Sequence, residues 1–283
     1  MAASAFDTET AVVAQGNGRY GVRLSTAWDI GDTANGGYAM LPVLRALRNE
    51  VAPDDQGGDP LSITTNFLRP IQGGGDGRID TSLVRRGRTV SVLHGSLTVA
   101  DTQRLTVGAV FGNLHDPDDL ENRLRDEPDP AEPGPTIDIP APDIPPPADC
   151  VDRTELHQGV ALPIASRVEV RVTPECAVAG GSDRAVTHGW VRLSDGTPPS
   201  VLSLPLFADA FPPSLFVKLG SVGWVPTIEL TVHVRRRPAD GWIQARLECD
   251  DLADGRMIES GTLWDSTGRV VARSRQLGLL LTN

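Results

Sequence analysis

The segment 32–48, DTANGGYAMLPVLRALR, constrains the fold more than any other part of the chain, because its pattern is that of a buried helix. Apolar residues recur at helical spacing, and Met40 and Val43 widen the apolar stripe until little polar surface is left. Such a helix must be covered by other elements. The segments from 61 to 111 are rich in β-branched residues, so the sequence predicts one central helix in the curve of an antiparallel sheet.

Turn signals divide the sequence around this helix into strands. The predicted strands cover 18–24, 61–68, 78–85, 89–100 and 104–111. Pro70 closes the strand at 61–68, and the glycine-rich run 73–77 separates it from the next. Short connections between consecutive strands predict an antiparallel meander.

A change in composition divides the chain into two halves. A length of 283 residues allows two cores, since a domain has roughly 150 residues. Ten of the 23 prolines fall from 117 to 147 among many acidic residues, and such a segment cannot bury a core. We therefore predict an N-terminal unit at 1–114, a proline-rich acidic linker at 115–150 with a short helix at 118–125, and a C-terminal unit at 151–283.

The second half repeats the pattern of the first. The stretch GRIDTSL at 77–83 matches GWIQARL at 241–247, and GSL at 95–97 matches GTL at 261–263. An apolar segment, VLSLPLFADAF at 201–211, occupies the place that the central helix has in the first half. The order of the segments agrees throughout. We interpret the chain as two copies of one helix-plus-sheet unit.

Charge and composition exclude several classes of function. The net charge of −11 disfavours binding to nucleic acid or to an anionic membrane. No apolar run reaches the ~18 residues of a membrane span, and the start lacks a secretion signal, so a cytoplasmic protein is expected. Cysteines and histidines show no metal-ligand spacing, so no metal is expected. Two arginine clusters, at 85–88 and 235–237, either bind phosphate groups or are solvated charges at strand edges that block aggregation.

A series of short motifs runs through both halves in a defined order. They are NGGY at 35–38, FLRP at 67–70, VRRGRTVS at 84–91, FAD at 207–209, TIE at 227–229, RRP at 236–238 and RQLGLLL at 275–281. In order and spacing they resemble the double hot-dog acyl-CoA thioesterases, the family of acyl-CoA thioesterase II. The resemblance covers nearly the whole chain except the linker.

This resemblance implies an α+β fold, a double hot-dog, in which each repeat wraps a curved antiparallel sheet around one long central helix. The two repeats would join edge to edge into a single sheet. The implied activity is hydrolysis of fatty acyl-CoA to free acid and CoA, with no cofactor and with acyl-CoA as the partner. In that family an aspartate, a threonine and a glutamine hold the attacking water, and by motif position these are Asp209, Thr227 and Gln276. Two hot-dog halves already mimic a dimer of single ones, so a monomer is one alternative; further pairing is the family tendency, and we expect a homodimer.

The chemistry of thioester hydrolysis is compatible with these three residues. Asp209 lies in an apolar run, where desolvation would raise its pKa and make it a better base near neutral pH. Thr227 and Gln276 can orient a water without adding charge. The alternatives are that Asp209 is a helix-terminal or an exposed aspartate without a catalytic role and that Thr227 only begins a strand.

The start of the central helix is the predicted substrate-binding element, formed by Asn35, Gly36, Gly37 and Tyr38. Free backbone N–H groups at a helix N-terminus point towards negative charge, and glycines allow a thioester carbonyl to come close. We expect Gly37 to supply the donor for the oxyanion. The alternative is that the two glycines serve only close packing of the helix.

Other enzyme classes lack their motifs in this sequence. A serine hydrolase would show G-x-S-x-G, nucleotide-binding folds would show their glycine fingerprints, and a hot-dog hydratase would place a histidine near the helix start. The alternative function is a catalytically silent protein that binds an acyl ligand with the same fold. Convergence of the three predicted catalytic residues would distinguish the two. Candidate residues for an acyl tunnel are Trp28, Phe67, Trp190 and Trp224.

Overall fold

The computed structural model describes residues 3–52, 58–114, 137–156, 159–220 and 223–281. Its helices are α1 (Ala5–Glu9), α2 (Gly36–Val51), α3 (Ser203–Ala208) and α4 (Leu215–Leu219). The strands of the first half are β1 (Val13–Gly16), β2 (Arg19–Arg23), β3 (Asp29–Ile30), β4 (Thr33–Ala34), β5 (Asp59–Phe67), β6 (Asp76–Arg86), β7 (Ser91–Val99) and β8 (Thr102–Gly112). Those of the second half are β9 (Val151–Asp152), β10 (Val168–Val172), β11 (Val186–Leu193), β12 (Thr227–Val234), β13 (Ile243–Ala253), β14 (Arg256–Trp264) and β15 (Val270–Leu279).

Within the described ranges, thirteen strands form one antiparallel sheet in the order β1-β2-β6-β7-β8-β5-β12-β15-β14-β13-β11-β10-β9. The two halves meet where β5 pairs with β12, and Thr64 lies opposite Thr231 in this pair. The hydroxyl oxygens of these two threonines are 2.8 Å apart and share a hydrogen bond. The edge-to-edge junction implied by the family resemblance is therefore present.

Helix α2 packs on the strands β6, β7 and β8 of the first half. Its residues Gly37 to Leu44 are all buried, as the apolar pattern predicted. The helix begins at Gly36 and not at 32, because β3 and β4 form a small two-stranded sheet just before it. The predicted strands at 61–68, 78–85, 89–100 and 104–111 are confirmed as β5, β6, β7 and β8.

The second half departs from the predicted long central helix. Its apolar segment forms the six-residue α3, which packs against α2, and the five-residue α4 follows after a break. Pro212 and Pro213 stand between them, and a helix ends before consecutive prolines because each lacks an N–H donor and restricts the residue before it. In the described part of the chain α2 is therefore the single long helix, and no helix there is long and apolar enough to cross a membrane.

The proline-rich linker lies partly outside the described residues, which exclude 115–136 and with it the predicted helix at 118–125. From 137 to 146 the chain has no regular structure and crosses the strands of the second half. Three side chains on adjacent strands donate to its carbonyl oxygens: Trp264 to Ile139 (2.8 Å), Gln244 to Pro142 (2.6 Å) and Trp190 to Pro145 (2.9 Å). Carbonyl acceptors suit a proline-rich strap, since proline has no N–H to offer.

The two arginine clusters make structural contacts in this fold. Arg86 donates to the last carbonyl oxygens of α2. Arg236 donates to the carbonyl oxygen of Val270 at 3.0 Å, and Arg237 pairs with the buried Asp59 at 3.1 Å. These side chains stabilise the ends of a helix and of strands.

Candidate active site

A cavity of about 1050 Å³ lies where the start of α2, the end of α3 and the strands β12 and β15 meet. Its lining includes the three predicted catalytic residues, Asp209, Thr227 and Gln276. Asn35 and Gly36, from the predicted substrate-binding element, line it as well. Residues that are far apart in the sequence thus face one space that is large enough for a small ligand.

Asp209 follows the last residue of α3, and the start of α2 fixes its carboxylate. Its Oδ2 atom accepts hydrogen bonds from the backbone N–H of Gly37 at 2.8 Å and from Asn35 Nδ2 at 2.9 Å. Asn35 Nδ2 also donates to the carbonyl oxygen of Asp209 at 2.8 Å. The other amide atom, Asn35 Oδ1, caps α2 by accepting from the N–H of Tyr38. One asparagine therefore begins the helix and holds the carboxylate.

Burial raises the pKa of Asp209 to about 6. The N–H of Gly37, the positive charge of Arg153, the amide of Asn35 and the hydroxyl of Thr227 all act against this rise, because each favours the ionised form. Desolvation is the larger effect. The predicted upward shift of the pKa of Asp209 is confirmed. The raised pKa is closer to that of an effective base at neutral pH.

The glycine pair serves both the packing of α2 and the cavity. A Cβ atom on Gly37 would lie 2.8 Å from the Cα atom of Leu206 in α3, so only glycine allows the two helices to approach this closely. The N–H of Gly37 donates to Asp209 and is not available to an oxyanion at the same time. In the part of the chain that is described, the N–H of Gly36 has no acceptor, and Gly36 lines the cavity.

Tyr38 lies in the core and not in the cavity. Its side chain is fully buried, its ring stacks on Trp28 with centroids 5.0 Å apart, and its hydroxyl donates to the carbonyl oxygen of Glu9 at 3.1 Å. It stands two positions after Gly36, which turns its side chain by about 200° around the helix. The structure therefore gives Tyr38 a packing role instead of the substrate contact expected from the sequence.

Gln276 and Thr227 reach the cavity from neighbouring strands. In the pairing of β12 with β15, Gln276 lies opposite Leu230, and the register shifts between Thr227 and Glu229. Gln276 is 9% exposed, and its amide has no hydrogen-bond partner among the described residues. A buried amide without a protein partner needs a water or a ligand.

Two buried charged residues near the cavity were missed by the sequence analysis. Arg153 is 5% exposed, donates to the carbonyl oxygen of Ala210 and lowers the pKa of Asp209. Burial in turn lowers the pKa of Arg153 to about 10. Glu259 is 6% exposed, lines the cavity and accepts hydrogen bonds from Ser214. No motif marks Arg153, whereas Glu259 occupies an inward position of an alternating strand.

Aromatic and aliphatic side chains form much of the remaining wall. They are Phe67, Phe211, Phe216, Trp224, Val225 and Leu247. Of the four tunnel candidates, Phe67 and Trp224 are thus in the lining. Trp28 packs on Tyr38 in the core, and Trp190 donates to the linker.

Comparison with known protein families shows to which family this chain belongs. The profile of the acyl-CoA thioesterase N-terminal domain matches residues 24–112, and that of the acyl-CoA thioesterase C-terminal domain matches residues 144–280. The chain belongs to the acyl-CoA thioesterase family. The family inferred from the sequence motifs is confirmed.

Several individual proteins are similar to this thioesterase-family chain. A proposed thioesterase II from Thermobifida fusca YX is 30% identical with a TM-score of 0.81, and the match covers 98% of this chain and 97% of that one. A conserved protein with a hot-dog fold from Alicyclobacillus acidocaldarius is 22% identical with a TM-score of 0.82, and both chains are covered completely, at 100%. An uncharacterized protein of Mycobacterium tuberculosis is 28% identical over 267 residues, which are 91% of this chain and 89% of that protein. The hot-dog class is thereby confirmed for the large antiparallel sheet.

Proposed function

We propose that this chain is an acyl-CoA thioesterase that hydrolyses an acyl-CoA thioester to the free acid and CoA. The observation that carries the proposal is the position of Asp209, whose carboxylate is held by Asn35 and Gly37 at the wall of a cavity that Thr227 and Gln276 also line. This convergence supports catalysis over silent ligand binding, because a site for binding alone has no need of a buried base.

In the proposed reaction Asp209 takes the proton from a water that Thr227 and Gln276 orient. The pKa of about 6 leaves the carboxylate mostly ionised at neutral pH, yet basic enough to accept that proton. A hydroxyl and an amide can hold the water without introducing a competing charge. The water oxygen then bonds to the thioester carbonyl carbon.

The negative charge that develops on the thioester oxygen needs a donor. The N–H of Gly36 is the candidate, since it belongs to the start of α2 and has no acceptor among the described residues, and Gly36 lines the cavity. Gly37, the donor named from the sequence, instead fixes the base. Collapse of the tetrahedral intermediate breaks the carbon–sulfur bond, and the thiolate of CoA leaves.

Release of free CoA thiol from straight-chain acyl-CoA esters of increasing length tests this proposal. We expect steady turnover of at least one ester, with a preferred chain length set by the wall at Phe67 and Trp224. Acyl-CoA binding without any thiol release across the panel would contradict the proposal and favour the silent binding protein.

The rate should depend on pH through Asp209. Only the ionised carboxylate accepts the proton, so kcat/KM should reach a plateau above about pH 7 and fall about tenfold for each pH unit below a pKa of about 6. Initial rates from about pH 5 to pH 8, with circular dichroism at each pH as the control for folding, measure this. A flat profile would rule out Asp209 as the base.

Arg153→Met should move the acid limb of that profile to higher pH. The guanidinium lowers the pKa of Asp209, so the carboxyl of the variant should titrate at a higher pH. Arg256→Met is the matched control, because Arg256 is exposed and pairs with Asp254 away from the cavity. A limb that stays in place in the Arg153 variant, with folding intact, would show that this charge does not act on the base.

We further propose that the two halves, 1–114 and 151–283, are copies of one hot-dog unit joined by the linker 115–150. The strand orders β5-β8-β7-β6-β2-β1 and β12-β15-β14-β13-β11-β10 support this, since each half connects its strands in the same sequence. The short α3 would then be the second copy of the central helix, cut down by the prolines that follow it.

A further inference from the structure

Glu259 occupies a buried position of β14, where the alternating pattern of the strand predicts an apolar side chain. On β14 the buried positions Met257, Glu259 and Gly261 alternate on one face of the strand, and Glu259 lines the cavity. Glu259 is 6% exposed, and it forms no ion pair among the described residues. A buried carboxyl group without a cation is unfavourable unless other groups compensate it.

The two oxygens of Glu259 have different surroundings. Oε2 accepts from the backbone N–H of Ser214 at 3.0 Å and from its hydroxyl. The same hydroxyl accepts from the N–H of Cys249 at 3.0 Å, so this side of the carboxyl group is fixed. Oε1 has no hydrogen-bond partner among the described residues, and it is not completely buried. It therefore keeps some accessible surface, and Glu259 is one of the residues that line the cavity.

A purely structural role does not account for Oε1. The anchoring of the segment before α4 uses Oε2 alone, and an amide or hydroxyl could serve as well at that place. The nearby charge of Asp209 raises the pKa of Glu259 in addition to burial, so the fold keeps two acids in one cavity against their repulsion. A hydrogen-bond donor on a ligand would compensate for both effects.

We propose that Glu259 selects acyl groups that carry a hydrogen-bond donor, a hydroxyl or an ammonium, within a few carbons of the thioester. This inference rests on the proposed thioesterase function. In the pairing of β14 with β15, Glu259 lies directly opposite Gln276, so their Cβ atoms are about 5 Å apart. The donor on the acyl chain must then lie close to the reacting carbonyl and not at the end of a long chain.

A panel of matched CoA esters tests this selection: hexanoyl, 3-hydroxyhexanoyl, 3-aminohexanoyl and, as the control for position, 6-hydroxyhexanoyl. We expect the wild-type chain to prefer 3-hydroxyhexanoyl or 3-aminohexanoyl over both hexanoyl and 6-hydroxyhexanoyl by about tenfold or more in kcat/KM, because a buried acceptor discriminates against a ligand without a donor within its reach. Glu259→Leu should abolish or reverse this preference. Glu259→Gln should keep the preference for a hydroxyl and lose that for an ammonium, which tells the two donors apart.

Equal rates for all four esters in the wild type, or a preference that Glu259→Leu leaves unchanged, would overturn the proposal. Thermal unfolding shows whether each variant is folded. If neither variant folds, the wild-type ratios of kcat/KM between the esters decide the question alone. Failure of the selection is distinct from failure of the proposed function. Hexanoyl-CoA hydrolysis that depends on Asp209 would leave the thioesterase proposal standing, whereas no thiol release from any ester would remove both.

Discussion

Asp209→Asn should lower kcat by about a hundredfold to ten-thousandfold, the contribution expected of a general base, while the fold stays intact. The asparagine Oδ1 can still accept from the N–H of Gly37 and from Asn35, so the geometry of the cavity wall is kept. What is lost is the ability to take a proton from water. Thiol release under saturating acyl-CoA measures the change.

The same substitution should stabilise the protein above about pH 6. Burial raises the pKa of Asp209 from its ordinary value of 3.8 to about 6, so the folded state disfavours the ionised form. The free energy of unfolding of the wild type therefore contains a term that falls as pH rises from about 4 to 6 and then levels off. Asparagine lacks this term, and Asp209→Asn should be about 1–3 kcal/mol more stable at pH 8.

Asp59→Asn provides the matched control for both effects. Asp59 is also buried, but it accepts from the N–H of Leu114 at 2.9 Å, pairs with Arg237 at 3.1 Å and lies outside the cavity lining. Loss of the Asp59 charge should destabilise the fold and leave kcat near the wild-type value. Near-normal turnover by a folded Asp209→Asn variant would contradict the assignment of the base.

Gly37→Ala should lower both stability and turnover. The added Cβ would lie 2.8 Å from the Cα atom of Leu206 and 3.1 Å from the Cβ atom of Asp209, and a backbone atom cannot give way alone. Overpacking of this kind lowers the free energy of unfolding by about 1–3 kcal/mol, more than the helix propensity of alanine returns. A displacement of Asp209 by about 1 Å should reduce kcat about a hundredfold.

Gly36→Ala separates packing from catalysis in this comparison. Its Cβ would meet the Oδ2 atom of Asp209 and the ring of Phe67, each at 3.0 Å, and these are ends of side chains. We expect a smaller change in stability than for Gly37→Ala, and a loss of turnover because the new methyl group enters the cavity. Denaturant unfolding and thiol release measure the two quantities. Equal stability of Gly37→Ala and the wild type would contradict the close packing of α2 on α3.

The periodicity of the sequence was sufficient to predict most of the secondary structure of the first half. The apolar stripe of 36–51 and the alternation of β5 to β8 depend on residues near in sequence, and these are the signals that helix and strand formation follow. The length of the helix in the second half was overestimated, because an apolar run alone does not specify how long a helix is. Pro212 and Pro213 limited it, and their effect outweighs hydrophobicity.

The sequence predicted part of the cavity lining but not its geometry. Motif positions brought Asp209, Thr227 and Gln276 together, and all three line the cavity. The bond from Gly37 to Asp209 could not be foreseen, because it depends on how α2 and α3 pack across the two halves. Arg153 joins the site through the same tertiary packing and carries no local sequence signal.

A single-turnover reaction in isotopically labelled water tests the central claim most directly. With the protein in excess over acyl-CoA, direct attack by a water that Asp209 activates should place one labelled oxygen in the first molecule of free acid and none in the protein. An unlabelled acid together with label in the peptide that contains Asp209 would contradict this account, because the carboxylate would then have acted as a nucleophile.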